Sequence, residues 1–282
     1  MDAILEPLRY EFFILALLAA ALVGTVCAVV GTFVVLRGIA FIGDAVAHAA
    51  FPGVVAAFIL QVPFYLGAAI AAVGTSLAIG YVTRRGRIRA DTAIGVLFAG
   101  TFAFGIFLYS TIKGYVADLF SFLFGYLLST SPSDLLALFV LGGIVLGTVA
   151  VLWKELLYST FDPLGAAASG LPVVRLEYLF LALVALTIVI SLQAVGIILV
   201  VAMLVTPAAT AQLLTVRFGS MMGLAVAIGV ASSVAGLYLS YWLDVASGAT
   251  IVLVQTAVFL TVLGFGKRAG MLGRRGRPIS AN

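Results

Sequence analysis

Leu36-Arg37-Gly38-Ile39-Ala40-Phe41-Ile42-Gly43-Asp44-Ala45-Val46-Ala47-His48-Ala49-Ala50-Phe51-Pro52-Gly53 stands between two long apolar runs, and its reading decides what kind of protein this is. Residues 12–36 before it and 45–60 at its end contain no Asp, Glu, Lys or Arg. A helix needs roughly 20 predominantly apolar residues to cross the hydrocarbon core of a bilayer. Such runs recur along the whole chain, and a water-soluble fold of 282 residues could not hide them all. With 64% hydrophobic and 9% charged residues and a mean hydropathy of +1.27, the composition lies far outside the soluble range. This is an all-α membrane protein.

Charge-free stretches predict nine spans, at 12–36, 45–60, 62–83, 92–112, 135–153, 178–192, 194–216, 218–243 and 245–266. Two joints, at Gln61 and Gln193, have almost no loop, so the expected fold is a polytopic bundle of about eight or nine transmembrane helices. Lys and Arg in short loops set orientation. Arg84, Arg85, Arg87 and Arg89 form one basic loop, and Lys267, Arg268, Arg274, Arg275 and Arg277 a basic tail. Threading nine spans between them puts all but Arg9 and Lys113 of the 15 Lys and Arg on the cytoplasmic side, with the N-terminus outside. Residues 116–130 then begin and end on the outer side, as a short re-entrant or interfacial segment. Such backbone is tolerated at membrane depth only when covered by protein. The chain reads as one transmembrane domain over 1–282, with an N-terminal tail at 1–11 and a basic cytoplasmic tail at 267–282.

Other classes are excluded early. The net charge of +4 belongs to loops between spans, so nucleic acid is not an expected partner. Cys27, the single cysteine, lies in an apolar run and offers neither a disulfide framework nor a thiolate cluster. Asp2, Glu6 and Glu11 surround Arg9 where a secretory leader would be basic, so no removable signal peptide is expected. No G-x-x-x-x-G-K-[ST] loop and no H-E-x-x-H helix is present, so any ATP chemistry must come from another polypeptide.

Three stretches carry chemistry. Asp44 is the one carboxylate not assigned to a loop or span-flanking position, and His48 is the only histidine. At i,i+4 they share a helix face with Cβ atoms about 6 Å apart, close enough to hold one cation between carboxylate and imidazole. The competing reading is a pair that only locks two helices together. Imidazole plus carboxylate suits manganese, iron or zinc, whereas copper(I) would want Cys or Met. Two protein ligands give the weak binding that a transport path needs, with further ligands supplied by main-chain carbonyls or water. Pro207, in Val205-Thr206-Pro207-Ala208-Ala209, removes a backbone donor and is expected to kink a pore helix, unless it is an ordinary membrane proline. Asp162-Pro163-Leu164-Gly165-Ala166-Ala167-Ala168-Ser169-Gly170-Leu171-Pro172 predicts a short cytoplasmic helix capped by Asp162 and ended at Gly170. It is a docking knob for a motor subunit or a plain loop helix.

The chain resembles the metal-specific family of ATP-binding cassette (ABC) importer permeases, which carry manganese, zinc or iron. The resemblance covers residues 12–266. It is borne by the Arg37 to Gly53 block, by Val195-Gly196 with Pro207-Ala208-Ala209, and by Leu243-Asp244-Val245-Ala246-Ser247-Gly248-Ala249-Thr250. Leu123-Phe124-Gly125 with Ser133-Asp134-Leu135 is a weaker match. The resemblance implies a type II importer-like permease, homodimeric about a central path, in the plasma or inner membrane of a prokaryote. It implies partners: two copies of a cytoplasmic ATPase, an extracellular metal-binding protein, a second copy of the chain, and lipid. It implies that Asp44 and His48 meet the metal as transported cargo rather than resident cofactor, and that Asp162, Ala166 and Gly170 mark the coupling helix. Leu164 stands where the family often has an acidic residue. The second and third blocks look more like the manganese and iron branch than the zinc branch. The alternatives are a stand-alone proton-coupled carrier, in which Asp44 and His48 relay protons, and an intramembrane enzyme, which lacks a nucleophile beside the pair.

Overall fold

The computed structural model describes residues 6–86, 88–112 and 127–274; the side chains of Gln193 and of residues 266–274 are outside that description. Among the described residues every regular element is helical, as expected where lipid offers no partner for open backbone groups. The helices are α1 (Glu11–Leu36), α2 (Ile42–Leu60), α3 (Phe64–Gly86), α4 (Ala90–Ser110) and α5 (Pro132–Val151). They continue with α6 (Trp153–Phe161), α7 (Pro163–Ala168), α8 (Val173–Leu214), α9 (Phe218–Leu243) and α10 (Ser247–Arg274). Short 3₁₀ turns at Pro7–Arg9 and Leu127–Ser129 complete the set. α8 holds two spans, Val173–Leu192 and Ala194–Leu214, so among the described residues nine helical segments are long and apolar enough to cross a membrane.

α1, α2 and both limbs of α8 form the centre, and Phe33, Ile188, Leu199, Met203 and Leu204 are fully buried there. Glycines set the approach distances. A Cβ on Gly31 of α1 would meet the Leu204 backbone, and one on Gly43 of α2 would lie 3.0 Å from the Leu204 side chain, so α8 wedges both helices at one residue. Gly53 of α2 and Gly67 of α3 face each other backbone to backbone, and Gly105 of α4 packs on Phe51 and Pro52. Small residues let membrane helices make this dense contact. Burial is uneven: 72% of an 18-residue apolar stretch of α2 is buried, against 17% of the corresponding stretch of α4 and 11% of that in α10. The helix that carries the ionisable pair is therefore the best covered of the spans among the described residues.

Contacts at the two ends agree with the threading read from the charges. Arg37, Ser159, Thr160, Arg84 and Glu177 meet at one end. At the other, Tyr65 donates to Asp134, and Leu127–Ser129 lies with Val195, Leu199 and residues 245–249. α5 opens at that end with a capping box: Asp134 N–H donates to Ser131 Oγ (3.2 Å) and Ser131 N–H to Asp134 Oδ2 (3.1 Å).

One expectation needs correction, and the two terminal segments gain detail. The break in the long helical run falls at Gly196 (φ 79°, ψ 168°), while Pro207 sits inside continuous helix. Those angles are open essentially to glycine alone, and Pro207 forfeits one hydrogen bond without leaving the helical region. The segment expected as a basic cytoplasmic tail from residue 267 begins as helix, because α10 runs on to Arg274. At the other terminus Pro7–Arg9 is a 3₁₀ turn packed on α1. Residues 116–126 of the expected re-entrant segment, with the Leu123-Phe124-Gly125 match, lie outside the described residues; the segment's last part is the Leu127–Ser129 turn, where Leu127 is buried.

Candidate metal pathway and coupling surface

Asp44 and His48 occupy the first two turns of α2, near the end of the bundle where the arginines gather. Their i,i+4 spacing brings them together as expected: His48 Nδ1 lies 3.4 Å from Asp44 Oδ1 and 2.9 Å from the Asp44 carbonyl oxygen. The side chains keep 24% (His48) and 45% (Asp44) of their exposure in the single chain, so the pair opens outward from α2 instead of being sealed in the core. The ring is braced on α4 by Phe98 and Phe102, whose centroids lie 5.2 and 5.3 Å away with edge-on geometry. Such contacts fix ring orientation as well as burying area.

The tautomer decides which nitrogen is available. With its proton on Nδ1 the ring donates to the Asp44 carbonyl and presents Nε2 as the lone-pair donor, the support that ligand histidines commonly have. With its proton on Nε2, Nδ1 and Oδ1 stand at the spacing of two ligands on one ion, about 3.4 Å for bonds of about 2.1 Å at a tetrahedral angle. An oxygen is also nearby in sequence: Pro52 has no N–H to offer the His48 carbonyl, its regular helical partner. Among the described residues no group of three His, Cys, Asp or Glu stands together as a possible metal cluster, so Asp44 and His48 stand there as a pair.

The predicted cytoplasmic helix is present as α7. Gly165 N–H donates to Asp162 Oδ1 (2.8 Å), Pro163 follows the cap, and Gly170 ends the turn at φ 84°. Ala166, expected on the docking face, is fully buried against the chain's own body, while Leu164 is 84% exposed. The outward surface is therefore Leu164 with Ala167 and Ala168, and Ala166 acts as its anchor. Pro207 packs on α9, where a Cβ on Gly229 would lie 3.6 Å from its ring.

Two features escaped the sequence reading. Phe98 and Phe102 carry an i,i+4 signal that matches the His48 face, but only the fold reveals that α4 crosses α2 there. The Val195-Gly196 and Asp244 to Thr250 blocks come together at the outer end. Gly248 lies against Val195 and Leu199, and a cleft of about 560 Å³ opens beside the break in α8.

Comparison with known proteins gives this geometry its context. Residues 9–266 match the model of the ABC 3 transport family. The manganese transport system membrane protein MntC of Halalkalibacterium halodurans is 46% identical over 281 residues, covering 98% of this chain and 96% of that protein. YfeC of Yersinia pestis, a chelated iron transport system membrane protein, is 38% identical, covering 98% and 94%. The structure of PsaBC from Streptococcus pneumoniae in complex with Fab superposes with a TM-score of 0.81 at 38% identity, covering 92% of this chain and 94% of that one. With nine apolar helices among the described residues, this match over nearly the whole sequence makes the chain a member of the ABC 3 transport family, a multi-pass permease subunit of a prokaryotic plasma-membrane ABC importer.

Proposed function

We propose that the chain moves a divalent transition-metal cation, manganese first and then iron or zinc, into the cytoplasm, and that Asp44 and His48 are the side chains the ion meets on the way. The observation that carries this is the placement of a carboxylate and an imidazole 3.4 Å apart on one turn of the best-covered span. Ionisable groups inside a membrane default to a functional role, and this donor set matches borderline divalent cations. The manganese and iron names of its relatives point to the same cargo.

Two side-chain ligands hold an ion only weakly, as a conducting site must. The remaining ligands are water, the His48 carbonyl, or groups from a second copy of the chain across a shared path, which the outward opening of the pair favours. Energy comes from two copies of a cytoplasmic ATPase seated on α7 through Leu164, Ala167 and Ala168. Cargo comes from an extracellular metal-binding protein at the end where Gly196 and residues 245–249 lie.

The test is uptake into proteoliposomes by the chain alone and by the chain assembled with its ATPase, with manganese(II), iron(II) and zinc(II) in competition. Uptake that needs both the ATPase and ATP, with manganese the strongest competitor, is expected. Uptake by the lone chain on a pH gradient would replace this reading with that of a proton-coupled carrier.

A further inference from the structure

Arg37 is a half-buried charged residue that the ion pathway does not use. It caps the end of α1, with its N–H on the Phe33 carbonyl (2.9 Å). Gly38 follows at φ 68° and turns the chain into α2, two residues into which stands Asp44. Its guanidinium reaches away from this turn to two other elements, α6 and α8. Nε donates to Thr160 Oγ1 (3.1 Å) and Nη2 to Ser159 Oγ (3.4 Å), both on α6. The Ser159 and Thr160 hydroxyl protons are committed to the Leu156 carbonyl (3.1 and 2.6 Å), so their oxygens face Arg37 as acceptors. The guanidinium carbon sits 4.2 Å over the Phe180 ring of α8, a cation–π contact. Glu177, one turn earlier on α8, is held by Arg84 of α3 at 2.8 Å.

This is an expensive way to close a turn. Burial is the larger influence on the Arg37 guanidinium and lowers its pKa to about 10, and the Glu177 charge offsets this only in part. The group stays charged at neutral pH while being held by two neutral hydroxyls and a ring. Apolar packing would serve a static joint better. A cleft of about 380 Å³ beside it, lined by Arg84, Thr160, Pro163 and Glu177, gives the guanidinium room to exchange partners.

We propose that Arg37 is a positioning residue that couples the ATPase-facing segment to the ion helix, by joining the Ser159-Thr160 end of α6 to the turn that starts α2. Asp162, the cap of α7, is two residues beyond Thr160, so a displacement of α7 is delivered to the guanidinium and through Arg37 to the turn before Asp44. The proposal rests on the reading of α7 as the ATPase seat and of Asp44 and His48 as ion ligands.

The experiment uses the permease assembled with its ATPase in proteoliposomes, and reads manganese(II) ions transported per ATP hydrolysed together with equilibrium manganese(II) binding without ATP. R37Q, R37K and the pair S159A/T160V are each expected to lower ions per ATP by about tenfold. Binding should stay within about twofold, and R37Q combined with S159A/T160V should do no further harm. Wild-type ions per ATP in R37Q, losses that add in the combined variant, or manganese binding lost in parallel with transport would each overturn the link. Should R37Q fail to assemble, S159A/T160V decides, since it leaves the guanidinium in place. Failure of the ion-site reading looks different: D44N and H48A would then transport normally, whatever Arg37 variants do to the ratio.

Discussion

Adding one methyl group where α2 meets α3 separates two properties that a membrane transporter usually loses together. A Cβ on Gly53 would stand 2.6 Å from the Gly67 carbonyl carbon, 2.7 Å from the Ala71 Cβ, and closer still to the Gly67 oxygen. Carbon atoms rest about 3.5–4.0 Å apart, so the two helices must part by roughly 1 Å. The obstacle is main chain, which cannot swing aside. Overpacking of this kind costs about 1–3 kcal/mol, and Gly67→Ala meets the reciprocal clash with the Gly53 carbonyl and the Ala57 side chain. Asp44 and His48 ride on one turn of α2 and move as a unit, so their mutual distance survives the shift. The expected outcome is a lower unfolding midpoint in detergent for Gly53→Ala and Gly67→Ala, with manganese affinity retained by the folded fraction. Gly74→Ala, on the same α3 with nothing within 4 Å, is the control and should be neutral or slightly stabilising. Equal midpoints for all three variants would refute the close crossing. Loss of manganese binding at an unchanged midpoint would refute a site confined to one helical turn.

The remaining predictions concern the pair, the coupling surface and the break in α8. Asp44→Asn and His48→Ala are each expected to abolish manganese uptake while folded protein still reaches the membrane, measured by uptake against immunodetected protein; wild-type uptake in either rejects the ligand assignment. Leu164→Asp places a charge on the most exposed apolar side chain of α7 and should reduce copurification of the ATPase by about tenfold or more. Full copurification would move the docking surface elsewhere. Gly196→Ala forces a side chain into a backbone region open to glycine alone and should destabilise by about 1–3 kcal/mol, read from thermal unfolding, whereas Gly223→Ala, in open space on α9, should not.

The spans were legible because the bilayer imposes a length and forbids charge within it, two constraints that act on every residue of a run. Their ends were less so. Arg175 and Glu177 lie in the first turns of α8, and Arg84 and Arg85 in the last turn of α3, because long charged side chains can reach the interface from within a helix. The joint expected at Gln193 is helical, and the true break is at Gly196, where a backbone angle instead of a polar residue decides. The Asp44–His48 contact was legible since i,i+4 geometry is local. What lies across from it was not: Phe98 and Phe102 sit on another helix, and nothing near His48 in sequence points to them. Arg37 illustrates the limit more sharply. In sequence it is one more positive charge in a cytoplasmic loop, and its partners Ser159 and Thr160 lie more than four helices further on.

Confinement of both ligands to one turn also constrains how the proposed cycle can work. An importer must hold its ion in one state and release it in another, which requires a change in the ion's surroundings worth a few kcal/mol. Helices that rock as rigid bodies leave the Asp44–His48 distance alone, so that change has to come from groups outside α2. Three such groups come into question: the Phe98 and Phe102 rings that brace the imidazole, the turn at Arg37 that sets where α2 begins, and, in the proposed homodimer, a second copy on the open side of the pair. Of these the Arg37 turn is bonded to α6, the helix that leads directly into α7, by contacts already present in the single chain. In the proposed coupling, ATP acts on the site by moving that turn, and the Phe98 and Phe102 brace converts the movement of α2 into a changed exposure of the imidazole.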